Sequence, residues 1–74
     1  MYTVIESQLN GGVLAVLSYT NLTKAQAGQK YHEVLSYAAV SGTEKHSATL
    51  LNDEGRVLRY ECYKNGVAES EVTT

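Results

Sequence analysis

The sequence predicts an α+β domain of ββαββ order, with four strands in one mainly antiparallel sheet and one helix packed on one face. Three observations carry this. The stretch from Asn21 to Gly42 has a helical apolar period, and the flanking segments alternate or run apolar over short lengths, as strands do. Turn signals at Asn10-Gly11-Gly12 and at Asn52-Asp53-Glu54-Gly55 divide each flank into a hairpin.

Tyr2 to Gln8 alternates, with Thr3, Ile5 and Ser7 on one side and Tyr2, Val4 and Glu6 on the other. That is the pattern of a half-buried strand. Asn and Gly accept left-handed backbone, so Asn10 to Gly12 turns the chain into a second strand, Val13 to Tyr19. Val13-Leu14-Ala15-Val16-Leu17 is apolar on both faces, which predicts a strand covered on both sides.

The helix follows. Ala27, Tyr31, Val34, Leu35 and Ala38 fall at i, i+4, i+7, i+8 and i+11, one face of a 3.6-residue repeat. Asn21 or Thr23 can cap its start, because a short side-chain oxygen accepts from a first-turn amide. Gly42 can end it in the left-handed conformation that often follows a helix. Gly28 interrupts it and implies either close approach to a neighbouring backbone or a cost tolerated by packing.

Thr43 to Lys45 is a loop, and His46 to Asn52 a third strand with Ala48 and Leu50 facing one way and Thr49 and Leu51 the other. A fourth strand runs from Arg56 to Lys64, with Leu58, Tyr60 and Cys62 expected against the helix and Arg59 and Glu61 outward. Residues 1–64 then form the domain, and 65–74, with Glu69 and Glu71, a polar flexible tail. An antiparallel sheet in the order 1-2-4-3 places the apolar second strand inside. Parallel pairing of strands two and three through a crossover is the alternative.

Seventy-four residues make one domain. A chain this short buries only about 60% of its unfolded surface. It has no Trp, Phe or Pro, so the core is built from aliphatic residues and from some of its six Tyr. One helix cannot cover both faces of a sheet. The far face must be wet or meet a partner, and Leu14, Val16 and Leu51 mark it as an interaction surface. A homodimer is the expectation.

The net charge is −2, and Lys24, Lys30, Lys45, Arg56, Arg59 and Lys64 form no basic run. Nucleic acid and anionic membrane surfaces are therefore poor partners. Cys62 is the only cysteine, which excludes an intrachain disulfide and suits a reducing cytoplasm. The start, MYTVIESQLNGG, lacks the basic and apolar blocks of a secretory signal, and no apolar run reaches the length of a membrane span.

QKYHEVLSYAAVSG (29–42) followed by HSATLLNDEGRVLRYECY (46–63) resembles a family of small uncharacterised proteins carried by prophages and integrative mobile elements of gut Gram-positive anaerobes. The similarity covers most of the chain beyond the first hairpin. It implies a bacterial or phage cytoplasm and an accessory or assembly role. It implies no catalytic, cofactor or metal residues.

Several residues invite chemistry. Cys62 with His32 or His46 would make a thiol nucleophile and base, yet no Cys or His signature surrounds them, and a buried Cys packing as a small hydrophobe is simpler. His32, Glu33, His46 and Cys62 lack the short paired spacing of structural zinc. His32 reads as a solvated helix residue and His46 as a strand-entry residue bonding locally. Tyr60 and Tyr63 with Arg56 and Arg59 suggest a single-stranded nucleic-acid platform, but the two tyrosines fall on opposite faces. Gly11-Gly12 lies between strands rather than ahead of a helix, so it is no phosphate loop. Asp53 and Glu54 sit in a turn. The sequence thus points to a non-enzymatic protein-interaction module that self-associates and needs no cofactor. A single-stranded nucleic-acid-binding accessory protein is the alternative, and a thiol enzyme using Cys62 the next.

Overall fold

A computed structural model describes residues 1–68. Its elements are β1 (Tyr2–Asn10), β2 (Val13–Leu22), α1 (Lys24–Val40), β3 (Lys45–Leu51), β4 (Val57–Lys64) and a two-residue β5 (Val67–Ala68). Four antiparallel strands and one helix packed on them give the expected ββαββ fold, to which β5 adds a short fifth strand. Gly11 and Gly12 both have positive φ (57° and 81°), the requirement of a two-residue hairpin turn that suits the twist of its strands. The second hairpin is closed by the Asn52 side chain, whose Oδ1 accepts from the amides of Glu54 and Arg56, each at 2.9 Å. Gly55 follows at φ 82°.

The helix is capped by Thr23. Its hydroxyl accepts from the Gln26 amide at 3.1 Å, and the Gln26 side chain accepts from the Thr23 amide at 2.9 Å. This reciprocal box satisfies two first-turn donors at once. The C-terminus ends on Ser41, in extended backbone (φ −86°), so Gly42 does not supply the left-handed stop the sequence suggested. All five residues of the predicted apolar stripe, Ala27, Tyr31, Val34, Leu35 and Ala38, are buried. Gly28 has open space where a Cβ would stand, with nothing within 4 Å, so it marks no close approach. Gly28→Ala should therefore stabilise the fold by about 1 kcal/mol, the helical cost of glycine, read from a thermal or urea melt.

The strand order is β2-β1-β3-β4-β5, not 1-2-4-3. β1 pairs antiparallel with both β2 and β3, so β2 and β3 run parallel with β1 between them. The crossover through α1 thus spans one intervening strand. The consequence is that β2 is an edge, not an interior strand.

Helix width explains which strands are covered. A helix is about 10 Å across and strands lie about 4.8 Å apart, so α1 roofs roughly two of them. It lies chiefly over β1 and β3. The core beneath it is Val4, Ala27, Tyr31, Val34, Leu35, Ala48 and Leu50, partly closed at the margins by Tyr2, Tyr19, Leu22 and Tyr63. The alanines at 27, 38 and 48 are all fully buried. β2 lies beyond the roof, and Val13, Leu14, Val16 and Leu17 are exposed. The expectation that β2 is covered on both sides does not hold.

β4 is turned the other way from the sequence reading. Leu50 pairs with Arg59, Ala48 with Glu61 and His46 with Tyr63, so these three face the helix side. Tyr60 and Cys62 face away from it. On the helix side Arg59 and Glu61 meet Tyr31, a residue that is almost wholly buried. It donates to Glu61 at 3.0 Å, and the Arg59 guanidinium lies 4.9 Å from the Tyr31 ring centroid. At the margin of the roof, polar tips that serve a buried phenol outweigh aliphatic bulk.

The first residues of the segment expected to be a flexible tail are part of the sheet. Asn65 and Gly66 turn the chain, and Val67–Ala68 pairs with Tyr63 and Lys64 of β4. Gly66 (φ 82°) lies close to the helix end, where a Cβ would come within 3.3 Å of the Ala39 carbonyl. The rest of that predicted tail lies outside the described residues.

Candidate functional site

Two regions stand out from the packing: a buried polar cluster under the helix and a bare sheet face with its β2 border.

The polar cluster is built by strand parity. Glu6 shares a face with Val4, and His46 shares one with Ala48 and Leu50. Pairing of β1 with β3 then sets both under α1. His46 Nε2 lies 2.6 Å from Glu6 Oε2, with His46 4% and Glu6 7% exposed. The other carboxylate oxygen accepts from the Tyr19 hydroxyl at 3.2 Å, and Gln8 Nε2 donates to Oε2 at 3.3 Å. His46 Nδ1 is buried and has no partner among the described residues. Loss of water and the bond to Glu6 raise the Tyr19 phenol above its ordinary value. Lys30 lies 4.6 Å from the centroid of the Tyr19 ring and pairs with Glu33, which raises its ammonium.

This cluster is not legible in the chain alone. His46 is expected at the strand entry with local bonds, whereas its partner lies 40 residues away. The available signal was an acid on the apolar side of β1 and a histidine on the apolar side of β3. What was lacking was their adjacency, which depends on strand order.

The geometry keeps this cluster apart from the candidate nucleophile. Ser47 pairs with Cys62, so Cys62 lies on the face opposite His46. His32 is exposed on the helix, edge-on to Tyr31 with ring centroids 5.7 Å apart. His32, Glu33, His46 and Cys62 are thus spread over three surfaces. Among the described residues no group of three or more His, Cys, Asp and Glu side chains is gathered to hold a metal ion. The nucleic-acid platform disperses similarly, because Tyr60 faces away from the helix while Arg59 and Tyr63 face toward it.

The second region is the sheet face away from α1. The register sets Leu14 beside Leu9, Val16 beside Ser7 and Ser18 beside Ile5, then continues through Ser47, Thr49 and Leu51 to Cys62, Tyr60 and Val57. Leu14, Val16 and Leu51, the three expected interaction residues, all lie on this face. Its central strands alternate the small hydroxyls of Ser7, Ser47 and Thr49 with Ile5, Leu9 and Leu51, and Leu14, Val16, Tyr60 and Val57 stand at the β2 and β4 margins. The positive charge on it, from Lys45 and its partner Lys64, sits at one end. A shallow hollow of about 140 Å³ lies between Leu9, Leu14, Tyr60 and Cys62. A larger groove, about 240 Å³, runs between Leu22 and the first turns of α1, walled by Gln26, Gln29, Lys30 and Glu33.

No protein-family model, curated protein or solved structure matches this chain. No helix among the described residues is long and apolar enough to cross a membrane.

Proposed function

We propose that this protein is a non-enzymatic interaction module that associates with a second copy of itself through the bare sheet face or the β2 edge that borders it. One observation carries the reading. The face opposite α1 holds Leu14 (60% exposed), Val16 (52%), Val57 and Tyr60 in the open, beside the half-exposed Leu51. Exposed apolar side chains of this kind mark an interaction site when a domain is too small to fold over them. The Glu6–His46 pair supports a structural role in the same reading, since it lies under the roof with the thiol on the opposite side of the sheet. The resemblance of residues 29–42 and 46–63 to small proteins of prophages and mobile elements favours an accessory or assembly role in such an element, within the cytoplasm.

Light scattering at high micromolar concentration tests this. The expected mass is twice that of the protomer, and Leu14→Lys and Val16→Lys should each reduce it to one protomer with the circular dichroism of the native fold retained. A wild-type protein that stays monomeric throughout that range overturns the proposal.

A further inference from the structure

We infer that the two copies join edge to edge, with β2 pairing antiparallel to β2 of the second copy about a two-fold axis, so that two sheets continue as one. The inference rests on the self-association proposed above and specifies its geometry. It also narrows the surface, because Leu51 lies two strands in from that edge and takes no part.

Among the described residues β2 has a single neighbour, β1, and so presents an open side. On an antiparallel edge, alternate residues turn both amide and carbonyl outward, forming a row of donors and acceptors. Proteins usually blunt such a row with charge, proline or a bulge. β2 is ten residues long, VLAVLSYTNL, and contains no charged residue and no proline. The irregularity in its pairing with β1 falls between Tyr2 and Val4, away from the Val13–Ser18 stretch. The opposite edge of the described sheet is only the two-residue β5.

The exposure pattern favours the edge over the face. Val13 (70% exposed) and Leu17 (54%) lie on the helix side of β2, while Leu14 and Val16 lie on the bare side. A sheet packed on the bare face would cover Leu14 and Val16 and leave Val13 and Leu17 in water. A strand added at the edge sets side chains beside all four.

Charge and symmetry favour a second copy as the occupant. A two-fold axis normal to the sheet keeps both helices on one side and sets each residue opposite one from the same face. Centred on Val16, it places Ala15 opposite Leu17 and Leu14 opposite Ser18. No charge meets a like charge, the usual obstacle to a strand pairing with itself.

Two measurements test the geometry. In light scattering, Leu17→Lys, on the helix side, should convert dimer to monomer as fully as Leu14→Lys, and Leu51→Lys should leave the dimer intact. In a Cys62→Ser background, single cysteines placed along residues 14–18 should oxidise to a cross-linked dimer most completely at one position. Residues directly opposite across an antiparallel pair have Cα atoms about 4.5–5.5 Å apart, within disulfide reach. Leu51→Cys should not cross-link. If Leu17→Lys unfolds, the cross-linking series decides alone. A dimer that survives Leu17→Lys but not Leu51→Lys, or one that cross-links at residue 51 and nowhere along β2, overturns edge pairing and leaves self-association standing. A monomeric wild type overturns both.

Discussion

β2 and β3 reverse what their compositions lead one to expect. β2 opens with five consecutive apolar residues, VLAVL, and all five are exposed. β3 is KHSATLL, with a histidine, a serine and a threonine, yet His46, Ser47, Ala48 and Leu50 are buried. The difference is position. β3 has strands on both sides and α1 above it, whereas β2 has one neighbour and lies past the helix. Burial of a strand is set by its place in the sheet, and apolar content raises the benefit of a central place without securing it. With one helix among the described residues, some apolar strand is left outside, and there it is available to another molecule.

The comparison can be broken at the covered region first. Tyr31 spans the helix-to-sheet contact and is 1% exposed. Tyr31→Ala should cost about 3–5 kcal/mol, the usual loss for a buried aromatic, and leave so small a domain largely unfolded in a urea titration. The Glu6–His46 pair joins β1 to β3. Glu6→Ala removes the buried hydrogen-bond partner of the imidazole and should cost about 1–3 kcal/mol, while the double replacement Glu6→Leu with His46→Leu should recover much of that loss, because apolar groups of similar shape can replace both partners of a buried hydrogen bond at little cost.

Alkaline pH sharpens the same contrast without mutation. Burial, and then the hydrogen bond to Glu61, hold the Tyr31 phenol above its ordinary 10.0. The folded state therefore keeps its proton more tightly than the unfolded chain does. The associated stability is fully present below pH 10 and is lost as pH rises beyond it. Urea midpoints between pH 8 and 11 should fall along the upper part of that range, and Tyr31→Phe should flatten the fall. A fall of the same steepness in the variant would assign the effect to other groups, with Tyr19 the next candidate. The smallest effect belongs to β2. Ala15→Lys, on an exposed position, should change the stability of dilute protein by no more than about 0.5 kcal/mol. The same substitution at Ala48, fully buried in β3, should unfold it.

Much of this molecule was legible in the chain itself, and what was legible is local. The helix stripe from Ala27 to Ala38 follows from a 3.6-residue period that needs no neighbour. Gly11-Gly12 and Gly55 mark turns because positive φ excludes most other residues. Strand parity put Glu6 with Val4, and Leu51 apart from Leu50, before any sheet was assembled. The order of the strands, the free edge at β2, the inward turn of β4 and the meeting of Glu6 with His46 were decided only in the tertiary structure. Each depends on contacts between distant segments. Alternation tells a strand that it has two faces, but the width of a single helix and the pairing of distant strands determine which strands, and which faces, it covers.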